Sequence, residues 1–182
     1  MKGLVRFMEK GCVHIYHGDG KGKTTSGVGL CVRAAGAGLK VLIYQFLKDN
    51  SSSERKVLQN IPGITVVDGN EKVKFTFNMT NEEKKLASMQ CTFAFEMIIN
   101  MAVRDGYDVV FFDEILHLIH KQMIDEDMVL NFLKNRPKGM EVILTGYYPS
   151  ERLVAAADYV SHICKEKHPY DQKLPARLGI EM

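Results

Sequence analysis

The stretch that most restricts how this 182-residue chain can fold lies near its start, where Val13-His14-Ile15-Tyr16 runs straight into His17-Gly-Asp-Gly-Lys-Gly-Lys-Thr-Thr25. An apolar strand, a glycine-rich turn and the opening of a helix form the arrangement in which a chain offers bare backbone N–H groups to an anion. Gly18, Gly20 and Gly22 let the backbone turn so that successive N–H groups face inward, and the helix N-terminus adds its positive dipole end. Phosphate oxygens fit such a cradle. Lys23 brings a point charge to the phosphates, and the Thr24 hydroxyl is placed to ligate Mg²⁺ or Mn²⁺. The common form of the loop begins with a glycine where His17 stands here. That departure predicts phosphates seated differently from those of an ordinary ATPase.

Downstream, strand and helix signals alternate. Apolar strands are expected near residues 40–46, 64–67, 107–112, 140–146 and 158–163, with helices over 24–37, from Ser51, from Thr80, in two segments before 140 and after Pro149. Both Ser51 to Glu54 and Thr80 to Glu83 have capping-box spacing. Leu86, Met89, Phe93, Met97 and Met101 fall on one face of the long helix, which is expected to be its buried side. Strands of this kind with helices between them predict an α/β fold of the P-loop NTPase (RecA-like) type: a mainly parallel sheet with helices on both faces. One domain is expected over 1–182, with 1–11 as an N-terminal extension and 164–182 as a tail. Ligands of such sheets bind at the carboxyl ends of the strands. The unusual clusters, at 17–25, 45–55, 68–79, 113–120 and 145–149, all follow strands and so share one rim.

At that rim Val109-Val-Phe-Phe112 ends in Asp113-Glu114. In phosphate-transfer sites such an Asp holds the metal and a following Glu orients water; on its own, an acidic pair also suits a helix N-terminus. His117 and His120 read as a structural or surface pair, and the methionines as core. Phe75 and Phe77, in a polar stretch, read either as a loop tucked on the domain or as a lid over a large flat ligand. Lys and Arg number 24 against 22 Asp and Glu, a balance that argues against nucleic acid or an anionic membrane surface as partner. Cys12, Cys31, Cys91 and Cys164 show no metal-ligand spacing and read as buried small apolar side chains. No signal peptide or membrane span is apparent, so the expected location is cytoplasmic.

Four pieces of the sequence then carry a family resemblance: GDGKGKTT at the loop, DEI at the strand end, LTG after the next strand, and the closing KHPYDQKLPARLGIE. Together, from Val13 to the end, they resemble the ATP:corrinoid adenosyltransferases. The resemblance implies attack of a Co(I) corrinoid on the 5′-carbon of ATP, with triphosphate leaving, and ATP lying in the loop in a reversed sense. It implies that Gly18, Asp19, Gly20, Lys21, Gly22, Lys23, Thr24 and Thr25 hold the nucleotide, with Arg33 beside it. Thr24 and Glu114 would ligate the metal, with Asp113 in support. Lys23, Thr24 and Glu114 would carry catalysis, and Phe75 and Phe77 would meet the corrinoid. A flavoprotein reductase and a homodimer follow from the same resemblance. Three departures stand out: Phe77 where a tryptophan is known, Tyr147 in place of an arginine after LTG, and LKDNSSSE after Phe46. A kinase or ATPase using the γ-phosphate, and a regulator that binds ATP without turnover, are the competing readings.

Overall fold

The computed structural model describes residues 9–48, 50–69 and 79–181. In chain order these form β1 (Val13–His17), α1 (Lys23–Gly36), β2 (Val41–Gln45), α2 (Ser53–Leu58), β3 (Ile64–Val67), α3 (Asn81–Arg104), β4 (Val109–Asp113), α4 (Ile115–His120), α5 (Glu126–Asn135), β5 (Glu141–Gly146), α6 (Glu151–Ala156) and β6 (Tyr159–His162). A short 3₁₀ turn, Pro169–Gln172, follows. The six strands make one sheet in the order β3-β2-β4-β5-β1-β6, and every pairing is parallel. This is the α/β fold expected from the alternation of elements.

Because successive side chains of a strand point to opposite faces, the apolar strands feed two cores at once. Leu42, Tyr44, Val110, Phe112, Val142 and Leu144 pack with Phe95 of α3 and Phe132 of α5 on one face. Val41, Ile43, Val109, Phe111 and Ile143 pack with Cys31 and Ala34 of α1 on the other. Phe112 meets Phe95 at 5.2 Å and Phe132 at 6.1 Å between ring centroids. On the α1 face, a Cβ on Gly27 would sit 2.5 Å from Cζ of Phe111. Only a glycine there lets α1 lie this close to the sheet, and that closeness aims the helix N-terminus at the rim.

Three local expectations change. Of the face expected to be buried on α3, Leu86, Met89 and Phe93 turn outward, with exposures of 57%, 62% and 68%, and Met97 and Met101 pack partly buried against the core, while Ala87, Cys91, Phe95, Ile98 and Ala102 are buried. The helix carries apolar residues on more than one arc, and the arc with small Ala and Cys is the one that can approach the sheet. By length and composition α3 could also cross a membrane; its Cys91, Phe95, Ile98 and Ala102 pack in the core on one face of the sheet. The Thr80–Glu83 capping box forms as expected. At α2, by contrast, the N-cap is Ser52 with no side-chain cap bond, and the Glu54 carboxylate bonds Gln45 and Lys48. Cys31 and Cys91 are buried, whereas Cys12 is half-buried and Cys164 exposed, since β6 is an edge strand exposed along its length.

Candidate active site

The strand order brings the loop after β1 and the acidic end of β4 to either side of β5. Asp113 is fully buried there, and a buried carboxylate is tolerated only where its oxygens are well bonded. Its Oδ1 accepts from the Thr24 hydroxyl at 2.8 Å and from the Thr145 hydroxyl at 2.6 Å. Its Oδ2 takes the Lys48 ammonium at 2.8 Å and the Gln45 amide at 3.2 Å. Thr145 also accepts from the Glu114 backbone N–H at 2.9 Å. One residue of β5 therefore fixes both acids of the β4 end.

Glu114 turns away from the sheet in a left-handed backbone conformation, φ 63°, which costs about 1–2 kcal/mol for a residue with a side chain. The turn carries it into a cavity of about 630 Å³. Burial first, and then the Asp113 charge, pushes its carboxyl above the ordinary range. Lys23 is buried; its ammonium donates to the Gly20 carbonyl at 2.9 Å and lies 4.4 Å over the Tyr147 ring. Desolvation lowers its pKa. Both ends of the site thus hold charges short of solvent, and both gain from an incoming anion with its cation.

Lys21, Gly22, Lys23, Thr24, Thr25 and Glu114 line the cavity together with Lys48, Glu54 and the tail residues Gly179 to Glu181. The upstream half of the loop is used otherwise. The Gly20 N–H is spent on the Ile163 carbonyl at 2.8 Å, so it does not face a phosphate. A Cβ on Gly18 would lie 2.3 Å from the same oxygen. Asp19 accepts from the Lys165 N–H at 2.9 Å, which lowers its pKa, and His17 stacks on His162 at 4.6 Å. These residues seat the chain that leaves β6. Arg33 is exposed at the last turn of α1; at 1.5 Å per residue it is about 15 Å along the helix from Lys23 and does not reach the cavity. Phe75 and Phe77 lie outside the described residues.

Thr145, Lys48, Gln45 and Tyr147 were not assigned from the sequence; the LTG motif was the signal for the first. The tail joins the site through Glu181, which bonds Arg177 at 2.9 Å and Lys21 at 3.2 Å. Arg177 holds that carboxyl down at about 2. A second cavity of about 660 Å³ opens beyond Tyr147 on the same rim, lined by Ser88, Thr92, His120, Gln122, Tyr148 and Ser150 among others. Tyr148 lies 6.0 Å from Tyr147 and 4.9 Å from His120, ring to ring.

The family of ATP:corrinoid adenosyltransferases BtuR/CobO/CobP matches residues 9–182. The chain belongs to that family. A corrinoid adenosyltransferase of Escherichia coli K12 is 30% identical over 176 residues, covering 95% of this chain and 86% of the relative. The corrinoid adenosyltransferase CobA of Salmonella typhimurium is 29% identical over the same length. Among solved structures, a KaiC-like protein of the archaeon Pyrococcus horikoshii superposes with a TM-score of 0.54 at 14% identity, covering 86% of this chain and 74% of its own. That likeness bears on the fold alone. ATP and a corrinoid are therefore the substrates of the family to which this transferase belongs.

Proposed function

We propose that this chain moves the 5′-deoxyadenosyl group of ATP onto the cobalt of a reduced corrinoid through the cavity at the β1–α1 loop, with a divalent cation held by Thr24 and Glu114. The observation that carries this reading is the convergence of Lys21, Lys23 and Lys48 with Thr24 and Glu114 on one cavity. Polyphosphate with a divalent cation is the ligand that such a set of charges matches. The Thr24 hydroxyl donates its hydrogen bond to Asp113, which leaves the oxygen lone pairs for a cation, and Glu114 supplies an anionic oxygen to the same cavity. When bound, the cation screens the triphosphate and stabilises it as a leaving group.

The bookkeeping of the step needs no protein nucleophile. The cobalt electron pair forms the bond to C5′, the C5′–O bond breaks, and triphosphate departs with that pair. The protein aligns the two centres and supports the charge developing on the bridging oxygen, the task of Lys23 and of the N–H groups from Gly22 onward. Tyr147, with its ring under the Lys23 ammonium, occupies the position of the missing arginine and keeps that lysine in place. The second cavity supports a corrinoid seat: hydroxyls of Ser88, Thr92 and Ser150 and the Gln122 amide suit the amide side chains of a corrin periphery. Delivery of the electron by a flavoprotein reductase and a cytoplasmic location belong to the same reading. So does a homodimer, which the exposed Leu86, Met89 and Phe93 support by offering an apolar stripe.

The test is anaerobic. Purified protein with Mg-ATP and chemically reduced cobalamin should consume the Co(I) absorption band and yield a light-sensitive alkylcobalt product. A persistent Co(I) band would exclude the transfer.

A further inference from the structure

Lys48 is a cavity cation outside the glycine-rich loop, in the LKDNSSSE segment that departs from the family's pattern after Phe46. It lies between β2 and α2, and its ammonium reaches two carboxylates, Asp113 Oδ2 at 2.8 Å and Glu54 Oε1 at 3.2 Å. Those two contacts hold its pKa above the ordinary value in spite of burial. Gln45 ties the same carboxylates together, donating to Glu54 at 2.8 Å and to Asp113 at 3.2 Å. Arg55, buried, donates to the side-chain amide oxygen of Gln45 at 3.4 Å and to Asp68 at 2.6 Å. The ammonium is thus positioned by a built network and is not a lysine waving in solvent.

Its neighbours show what it faces. Lys48, Lys23, Thr24 and Glu114 all line the same cavity. Of the four groups on Asp113, Lys48 alone carries a charge and is partly open to the cavity, with 23% of its side chain exposed. An arriving divalent cation repels that ammonium, and an arriving polyphosphate attracts it.

We propose that Lys48 is a second polyphosphate-binding cation, which pairs with Asp113 beside the Thr24–Glu114 cation site in the free enzyme and moves onto the triphosphate when metal and nucleotide enter. This rests on the transferase reading given above and adds a residue to it. Moving a cation that is already paired costs less than desolvating a new one, because Asp113 passes from one positive partner to another. During transfer Lys48 then shares with Lys23 the charge left on the triphosphate.

The experiment uses two ligands that need no cobalt chemistry: inorganic tripolyphosphate with saturating Mg²⁺, by titration calorimetry, and Mn²⁺ without nucleotide, by electron paramagnetic resonance. Lys48→Gln keeps a donor for Asp113 and Glu54 but removes the charge. It should weaken tripolyphosphate binding by roughly tenfold, the size of one lost charge-assisted contact, and should tighten Mn²⁺ binding, since the competing ammonium is gone. Lys48→Arg should bind tripolyphosphate within about threefold of the wild type, and it stands in as the reporter if the glutamine variant does not fold: loss of binding with arginine in place would also contradict the assignment. Unchanged tripolyphosphate affinity in Lys48→Gln, or Mn²⁺ binding that weakens with it, overturns the proposal. These outcomes are separable from failure of the transferase reading, which would leave tripolyphosphate binding intact while Co(I) is not consumed.

Discussion

The loop after β1 divides into two halves that look alike in sequence and do different work. From Gly22 to Thr25 it opens on the cavity, and Gly22 is glycine because its φ is 120° with nothing to crowd a side chain. From His17 to Gly20 it is roofed by the chain leaving β6, through the Gly20–Ile163 and Asp19–Lys165 bonds and the His17–His162 stack. A motif reading gives all three glycines to the phosphate. The structure turns one toward the cavity and packs two against the backbone of residues 162–164. The loop is thus half cavity wall and half anchor for the C-terminal segment, whose end returns to line the same cavity.

Substitutions should separate the halves. The largest effect is expected on the open side: Lys23→Ala should lower transfer by about 10²–10³-fold, the range for removing one preorganised charge-stabilising donor. Its melting temperature should hardly move, because the lysine is already charged against its burial. On the roofed side, Gly18→Ala meets both a φ of 120° and the Ile163 carbonyl, and should destabilise the protein by about 1–3 kcal/mol, measured by denaturant unfolding. If it lowered turnover and left stability alone, the division drawn here would be wrong.

Arg177→Ala should act more gently, raising KM for ATP by roughly two- to fivefold, since the Arg177–Glu181 contact is at the surface. The same contact fixes a pH window. A carboxyl lowered from 4.5 to about 2 contributes to tail docking above its ordinary value, and the contribution is lost as pH falls through about 2. Hydrogen exchange over 177–181 should therefore stay slow at pH 4 in the wild type and be fast there in the variant. The smallest effect is expected at Arg33, where Ala should change KM for ATP by less than about twofold if each chain's site is self-contained. A large rise would show that Arg33 reaches a nucleotide from outside this cavity.

What the sequence made legible was what lies close along the chain. Phe111 and Phe112 announce a strand buried on both faces, and Lys23 with Thr24, and Asp113 with Glu114, each announce a strand-to-helix turn at the rim, which the structure brings to one place. For residues that enter from a neighbouring strand only the rim was legible: Thr145 comes from β5, in the LTG motif, and Lys48 from beyond β2, but their bonds to Asp113 depend on the sheet order. The outward arc of α3 was misread for a related reason. Leu86, Met89 and Phe93 are the more hydrophobic set, yet Ala87 and Cys91 are small enough to let the helix touch the sheet. The resemblance added the reaction, which no spacing reveals, but also brought Arg33, which this chain holds away from its cavity.

The central claim is that bond cleavage occurs at C5′ and not at the γ-phosphate. It is tested most directly by phosphorus NMR of the products after anaerobic turnover with Mg-ATP and reduced corrinoid. Intact triphosphate in equal amount to the alkylcobalt product is the predicted result. Inorganic phosphate with ADP as the main products would contradict it and would make the chain a γ-phosphate-using enzyme on the same fold.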